Sequence, residues 1–479
     1  MRIVDMIYFW ARTAPHRPAI IQNRMIMTYQ GLADGIESIC NRIDRLDLKK
    51  DEPVGVAILN PSIMLATVFA LLRSGYTVAP VGTRRIPFAP SAGIRQLIYD
   101  VDGLMTSGGR NIRLDPAWLP KPSESSERSY RPRPPANPEV VFFTSGTTGL
   151  PKKVVIPAAS LDAQLAYPFN CAIGAYQRIL ILVSPSIYLG FTRACEVLYL
   201  GKTAGFSLME ATLSMINLFR FEALVVPPTR ALTLAEEKSE RPGYRTDSLK
   251  AILIGGGKID SSKISHIRSL LCRNVINVYG STEGGTVALT PFDIVADGSA
   301  VMNYPWVDLE VVDQAGNALP LEEAGLVRIR SPQLKENIRA SGADAIAGVR
   351  DGWFYPGDQG YIGRDGALRL TDRSSDVINR GGVKVSGNRI GELLQTLPDI
   401  KDAAACSISG TSGVEELWVA LVPNGPTDIA KIKSYLAQHP DAQIEPDEVI
   451  ILDEIPRNEL GKIQKTRLQE LMLARKKEQ

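Results

Sequence analysis

Short unbroken apolar runs alternate, along the first half of the chain, with stretches whose apolar positions recur every three or four residues. Residues 54–59 (VGVAIL) read as a strand buried on both faces, and residues 63–73 (IMLATVFALLR) as the helix after it, stopped at Ser74-Gly75. Residues 140–143, 179–183, 223–226 and 251–254 are strand candidates of the same kind. Strands separated by helices predict parallel sheets with crossover helices, and so an α/β fold class. Residues 119–138 are rich in proline and poor in apolar side chains, which predicts a surface connector. From Trp306 the texture changes to a turn-rich β region at 307–312, 325–330 and 367–371. After about Arg373 a smaller α+β unit begins, ending in a basic helix over 462–477. The expectation is a large N-terminal lobe of α/β subdomains plus a β-rich subdomain, residues 1–372, and a small mobile C-terminal domain, residues 373–479.

Composition narrows the class. The chain has 479 residues, 44% hydrophobic and 22% charged, an ordinary globular balance that excludes disordered, collagenous and disulfide-scaffold classes. Lys+Arg is 54 and Asp+Glu is 52, leaving +2, so no strong field draws it to nucleic acid or anionic lipid. Five scattered cysteines (Cys40, Cys171, Cys195, Cys272, Cys406) without a CxxC pair read as reduced thiols in a cytosol-like compartment. Three distant histidines (His16, His266, His439) argue against a histidine-rich metal site. The N-terminus does not read as a signal peptide, since Arg12 and His16 follow a short apolar stretch, and no run of 18 apolar residues predicts a membrane span.

One strand candidate runs into a turn that can do chemistry. In VVFFTSGTTGLPK, Thr144, Ser145, Thr147 and Thr148 supply hydroxyls, Gly146 and Gly149 let backbone N–H groups approach an anion, and Lys152 adds charge. Composition alone would equally allow a surface loop. The kinase-type G-x-x-x-x-G-K-[ST] pattern is absent here, because Gly201-Lys202-Thr203 has Glu196 where a glycine is required. Two further stretches follow in order: the strand end Gly255-Gly256-Gly257, and Tyr279-Gly280-Ser281-Thr282-Glu283 about twenty residues on.

TSGTTGLPK resembles the phosphate-binding signature of the adenylate-forming (AMP-binding) superfamily, which includes acyl- and aryl-CoA ligases, and the resemblance runs from about Tyr8 to Leu471. It implies that residues 144–149 and Lys152 handle the β- and γ-phosphates of ATP. It implies that Gly256 and Gly257 lie against adenine, that Tyr279 and Gly280 flank the ring, and that Thr282 bonds the α-phosphate. Glu283 would hold Mg²⁺. Gly357-Asp358 and Asp372-Arg373 resemble the ribose-binding pair, with Asp358 accepting from the ribose hydroxyls and Arg373 adding a charge-assisted contact. Ser375 falls at the family's hinge position. Arg380-Gly381-Gly382-Val383-Lys384 resembles the loop that the small domain brings up for the thiol step. Pro456-Arg457-Asn458-Glu459-Leu460-Gly461-Lys462 resembles the signature whose lysine, here Lys462, bridges substrate carboxylate and α-phosphate.

The pattern also departs from the family. Tyr188 stands where many acyl-activating members place a gating histidine, and Phe191 where amino-acid-activating members place an aspartate. No acidic residue lies between Ser184 and Cys195, and a buried ammonium without a counter-charge is costly, which argues against an α-amino acid. Tyr188, Phe191, Gly255 and Ser281 suggest an acyl or aryl pocket, although Tyr188 and Phe191 read equally as core. The family's glycine-tyrosine element is not obvious between Pro332 and Asp351. The resemblance implies an ATP- and Mg²⁺-dependent acid–thiol ligase with coenzyme A as the thiol. A stand-alone enzyme loading a carrier-protein phosphopantetheine, and an inactive nucleotide-binding regulator, are the alternatives; a homodimer stays open.

Overall fold

The computed structural model describes the chain apart from residues 1, 24, 83–92, 101–108, 116–117, 120–136, 145–151, 167–170, 208, 258, 260, 293–299, 302, 343–345, 347, 374–375, 381–382, 410–414, 440–443, 459 and 479; Thr144, Lys152, Arg373, Arg380 and Lys384 are described by backbone alone. The expected connector over 119–138 therefore lies mostly outside the described residues.

Contacts divide the chain into two units. The first holds Lys152–Leu309, Ile329–Phe354 and the residues up to Thr144; the second holds Glu310–Arg328 and Tyr355–Gln479, so it begins upstream of residue 373. In the first unit two sheets are built around central strands such as Val54–Ala57, Ala223–Val226 and Ala251–Gly255, which are apolar and buried throughout, as strands covered on both faces require. One sheet runs Val275–Ser281, Ala251–Gly255, Ala223–Val226, Arg178–Ile181, Thr203–Phe206 and Pro18–Gln22 in parallel, closed at its edges by the antiparallel Gly285–Pro291 and Met25–Thr28. The other runs Arg110–Arg113, Gln96–Tyr99, Val54–Ala57, Val78–Pro80 and Glu139–Thr144 in parallel, with Lys152–Pro157 antiparallel at the edge. Leu224, Val226, Ile252 and Ile254 pack under Leu234 and Ala235 of the Pro228–Glu240 helix and Ile264 and Ile267 of the Ser261–Leu270 helix.

In the second unit the three-stranded sheet Ile400–Ser409, Glu415–Pro423, Glu448–Ile451 separates two small cores by simple alternation. Leu417, Val419 and Leu421 face the Gly387–Leu394 and Ile429–Gln438 helices, while Trp418, Ala420 and Val422 face Leu468 and Met472 of the Lys465–Glu478 helix. A hairpin, Val377–Arg380 with Val383–Ser386, precedes this sheet, and Asp358–Ile362 pairs with Leu368–Arg373. Among the described residues no helix is long and apolar enough to cross a membrane.

Three boundaries differ from the sequence expectation. The first strand stops at Ala57, because the amide of Leu59 donates to the Asp100 carboxylate and its side chain is exposed. The last helix starts at Lys465 instead of 462, because Lys462 is held in a turn by Asn458. The unassigned stretch after Pro332 is a helix, Pro332–Ser341, with Ser331 as N-cap: its Oγ accepts the amide of Leu334 at 3.1 Å.

Candidate active site

In the first unit, Thr282 and Glu283 form the tip of a β-hairpin between Val275–Ser281 and Gly285–Pro291. Two glycines make the tip possible. A Cβ at Gly280 would sit 2.4 Å from the Gly285 carbonyl oxygen, and Gly285 itself has φ +77°. Ser281 Oγ accepts the Gly284 amide at 2.8 Å.

The tip is held from behind by the Pro332–Ser341 helix. Gln333 Nε2 donates to the Thr282 carbonyl at 3.2 Å, Asn337 Nδ2 to the Glu283 carbonyl at 2.9 Å, and Ser331 Oγ to the Gly284 carbonyl at 2.6 Å. Three consecutive carbonyls are thus met by three side chains of one helix start. A small pocket beside the tip, about 30 Å³, is lined by Gln164, Gly284, Thr286, Tyr304, Trp306 and Gln333, with the Tyr304 and Trp306 rings stacked 4.5 Å apart.

Tyr188 begins the Tyr188–Tyr199 helix and is buried. Its hydroxyl lies 2.5 Å from Gln333 Oε1 and 2.9 Å from Gln164 Oε1, and burial pushes its phenol well above the ordinary range, so it stays a neutral donor. Gln164 Nε2 in turn donates to Glu196 at 3.1 Å. Glu196 pairs with Arg193 at 2.7 Å, the two side chains 1% and 0% exposed, and Arg193 Nη2 donates to Thr286 Oγ1 at 2.8 Å. Burial raises the Glu196 carboxyl to about 7, although the Arg193 guanidinium and the Gln164 amide pull the other way. Phe191 is fully buried between Phe69 and Phe142, at ring distances of 6.3 and 5.6 Å. Gly255 ends its strand where a Cβ would sit 3.0 Å from Val278 Cβ and 3.4 Å from Leu189 Cδ2, and Gly256 has φ +87°. Thr144 and Lys152 pair directly across two antiparallel strands. Ser145, Gly146, Thr147, Thr148 and Gly149 lie outside the described residues.

In the second unit, Asp358 opens its strand, is 6% exposed, and is the register partner of Arg373 on the neighbouring strand. The turn that carries Lys462 is fixed on both sides. Arg457 grips Asp402 with two nitrogens, at 2.8 and 3.2 Å, and donates to the Gly461 carbonyl at 3.0 Å; Asn458 Oδ1 accepts the amides of Leu460 and Lys462 at 2.9 and 3.0 Å. Asp376, 8% exposed, accepts Lys465 and Asn388 at 2.5 Å each. Arg380 and Lys384 lie on the two strands of the hairpin, with Arg380 facing Val383 and Asn379 facing Lys384; Gly381, Gly382 and Ser375 lie outside the described residues.

The sequence reading gave no part to Gln164, Arg193, Glu196, Ser331, Gln333, Asn337, Asp376 or Asp402. The helix that carries Ser331, Gln333 and Asn337 was not identified from the sequence, and the way its amides face is set only by the fold.

The sequence profile of the AMP-binding enzyme family matches residues 8–336, which is more than half the chain. The chain belongs to this family of AMP-binding enzymes, as an α/β adenylate-forming protein with a large N-terminal and a smaller C-terminal part. It is 23% identical over 481 residues to 4-chlorobenzoate–CoA ligase of Arthrobacter sp, covering 93% of this chain and 90% of that one. It is 24% identical to the fatty acid–[acyl-carrier-protein] ligase ScoC of Streptomyces coeruleorubidus, covering 98% and 96%. Its fold matches o-succinylbenzoate coenzyme A synthetase of Bacillus subtilis, solved in complex with ATP and magnesium ion, at TM-score 0.79 and 20% identity over 97% of this chain and 99% of that one.

Proposed function

We propose that this enzyme activates an acyl or aryl carboxylic acid with ATP and passes the acyl group to a thiol, coenzyme A in the first instance. The observation that carries this reading is the Thr282–Glu283 hairpin tip, built of glycines and pinned backbone, in a chain whose family is that of AMP-binding enzymes. In the first step the carboxylate oxygen attacks the α-phosphorus, a C–O–P anhydride forms, and pyrophosphate leaves. In the second the thiol loses its proton, its sulfur attacks the acyl carbon, and AMP departs with the C–O bond electrons.

No side-chain nucleophile is needed, so the residues position substrates and stabilise charge. Thr282 bonds the α-phosphate, Tyr279 and Gly280 with Gly256 and Gly257 hold adenine, and Asp358 with Arg373 holds the ribose. Residues 144–149 and Lys152 bind the outer phosphates. Glu283 would offer one carboxylate to Mg²⁺, a hard cation that would offset phosphate charge. Lys462 bridges the two anions that must meet. The stretch from Ser375, with Arg380, Gly381, Gly382 and Lys384, moves to serve the thiol step. Tyr188, Gly255 and Ser281 border the acid, and Phe191 backs them from the core.

The likeness to a carrier-protein ligase supports a second reading, in which a holo-carrier replaces coenzyme A. The test is acid-dependent exchange of labelled pyrophosphate into ATP across short, medium, long and aromatic acids, followed by thioester formation with coenzyme A or a holo-carrier. Exchange with at least one acid and its loss in Lys462→Ala, with AMP binding retained, is the expected result. An exchange rate in Lys462→Ala equal to wild type refutes the role of that lysine; no exchange with any acid refutes the activity.

A further inference from the structure

We propose that Gln333, Asn337 and Ser331 are positioning residues for Thr282 and Glu283, an inference that rests on the adenylation reading above. Three features of the fold converge on it. The donors meet three consecutive carbonyls, 282, 283 and 284, which fixes three successive peptide planes of the turn and with them the directions in which the Thr282 and Glu283 side chains leave the backbone. Gln333 and Asn337 are 4% and 1% exposed, and the Asn337 Oδ1 has no protein partner among the described residues. An amide kept at such a site for its donor alone is one whose donor matters. Finally, the strands leave room for the clamp: a Cβ at Gly285 would lie 2.4 Å from Gln333 Oε1, so a glycine there admits the amide.

The orientation of Gln333 is itself fixed. Its NH₂ must face the Thr282 carbonyl, so its oxygen faces Tyr188, whose hydroxyl donates to it at 2.5 Å. Tyr188 thereby acts as a post that locks the clamp. The sequence reading left open whether Tyr188 replaces a gating side chain; its buried hydroxyl is engaged by two amides.

The test compares wild type with Gln333→Met, which keeps length and loses the donor, and with Tyr188→Phe, which removes a single oxygen. The readouts are kcat and the ATP KM in pyrophosphate exchange, and amide hydrogen exchange over residues 282–286 by mass spectrometry. A turn released from its clamp misplaces two groups by a fraction of an ångström, so kcat in Gln333→Met is expected to fall about 10- to 100-fold while KM moves less than about threefold. Exchange at 282–286 is expected to quicken about tenfold with the global urea midpoint held. Tyr188→Phe shows the same split at smaller size. If both variants keep kcat within about twofold of wild type, or lose activity through KM alone, positioning is overturned while adenylation stands. A wild type that exchanges no pyrophosphate with any acid overturns adenylation and this inference together.

Discussion

Replacing Glu196 by glutamine tests how the buried polar chain behind the hairpin is charged. Glu196 and Arg193 are among the most deeply buried ionisable side chains here, paired at 2.7 Å. Two arguments give opposite signs. If pairing dominates, removing one partner strands a buried cation, and the variant is less stable by about 3–5 kcal/mol at neutral and higher pH. If desolvation dominates, as the raised carboxyl near 7 implies, ionising Glu196 in the folded state is itself the cost. The folded value lies above the ordinary 4.5, so the stability this group contributes is full below about 4.5 and is lost as pH rises through about 7. At 1.36 kcal/mol per tenfold, that loss is about 2–3 kcal/mol between pH 5 and pH 8. The hydrogen bonds favour this second sign. Tyr188 has one proton but faces two amide oxygens, and Gln333 is fixed by Thr282. With Glu196 protonated, the Gln164 amide can turn, accept from the carboxylic acid and donate to Tyr188, which removes the meeting of two acceptors at the Tyr188 hydroxyl. The assay is urea unfolding of wild type and Glu196→Gln from pH 5 to pH 8, followed by tryptophan fluorescence. Four of the five tryptophans, Trp10, Trp118, Trp306 and Trp353, are in the first unit. The expected result is similar stability at pH 5 and a relative gain for the variant of about 2–3 kcal/mol by pH 8. A variant that grows less stable relative to wild type as pH rises would refute the reasoning.

Gly190→Ala should cost about 3 kcal/mol or more, since its Cβ would sit 2.2 Å from the Ser184 carbonyl oxygen and 2.6 Å from that of Val183, both backbone; an unshifted urea midpoint would contradict this. Arg457→Lys keeps the charge but loses the two-pronged grip on Asp402 and cannot hold Gly461 as well. Exchange activity should drop about tenfold with little change in overall stability, the pair being 28% exposed on both sides, and full activity would show that the Lys462 turn needs no such support. Gly285→Ala combines a φ of +77° with a clash against Gln333, so it should lower kcat at least as much as Gln333→Met; a milder kinetic defect would mean the amide can move aside.

What was legible in the sequence was mostly backbone. The fully apolar strands at 223–226 and 251–255 and the helices between them follow from burial on both faces of a parallel sheet, and they lie where the apolar runs place them. Gly280 stood in the motif read from the sequence, and the structure supplies its reason, a Cβ 2.4 Å from the Gly285 carbonyl oxygen; Gly285, at φ +77°, was not singled out, because its constraint appears only once the hairpin is folded. The helix at Pro332–Ser341 was not legible. Its buried side carries Gln333 and Asn337 beside Leu334, so hydropathy gives no clean stripe, and polar residues on a helix read as solvent-facing until a carbonyl is found opposite them. The same holds for Arg193 and Glu196, whose i, i+3 spacing suggests an exposed helical ion pair and not one at 0% and 1% exposure.

The difference between what could and could not be read has a physical cause that bears on the site. Residues meant to touch a nucleotide are constrained by the nucleotide, so their types and spacing recur and a motif results. Residues that hold those groups in place answer only to local geometry: Thr282 needs some donor behind its carbonyl, and glutamine from a helix turn, serine from a cap or a water could each supply it. The clamp here uses two amides and a hydroxyl, and its second tier, Tyr188 to Gln164 to Glu196, ends at a charge pair whose Arg193 also donates to Thr286 on the hairpin. Tying the Thr282–Glu283 turn to an ionisable group buried three side chains away connects the stability experiment to a kinetic one. If Glu196 titrates near 7 and Tyr188 posts Gln333, then kcat of pyrophosphate exchange should carry a shallow dependence through pH 6–8 that Glu196→Gln abolishes. A dependence that survives in the variant would separate the charge pair from the turn and leave the clamp to stand on Gln333 and Asn337 alone.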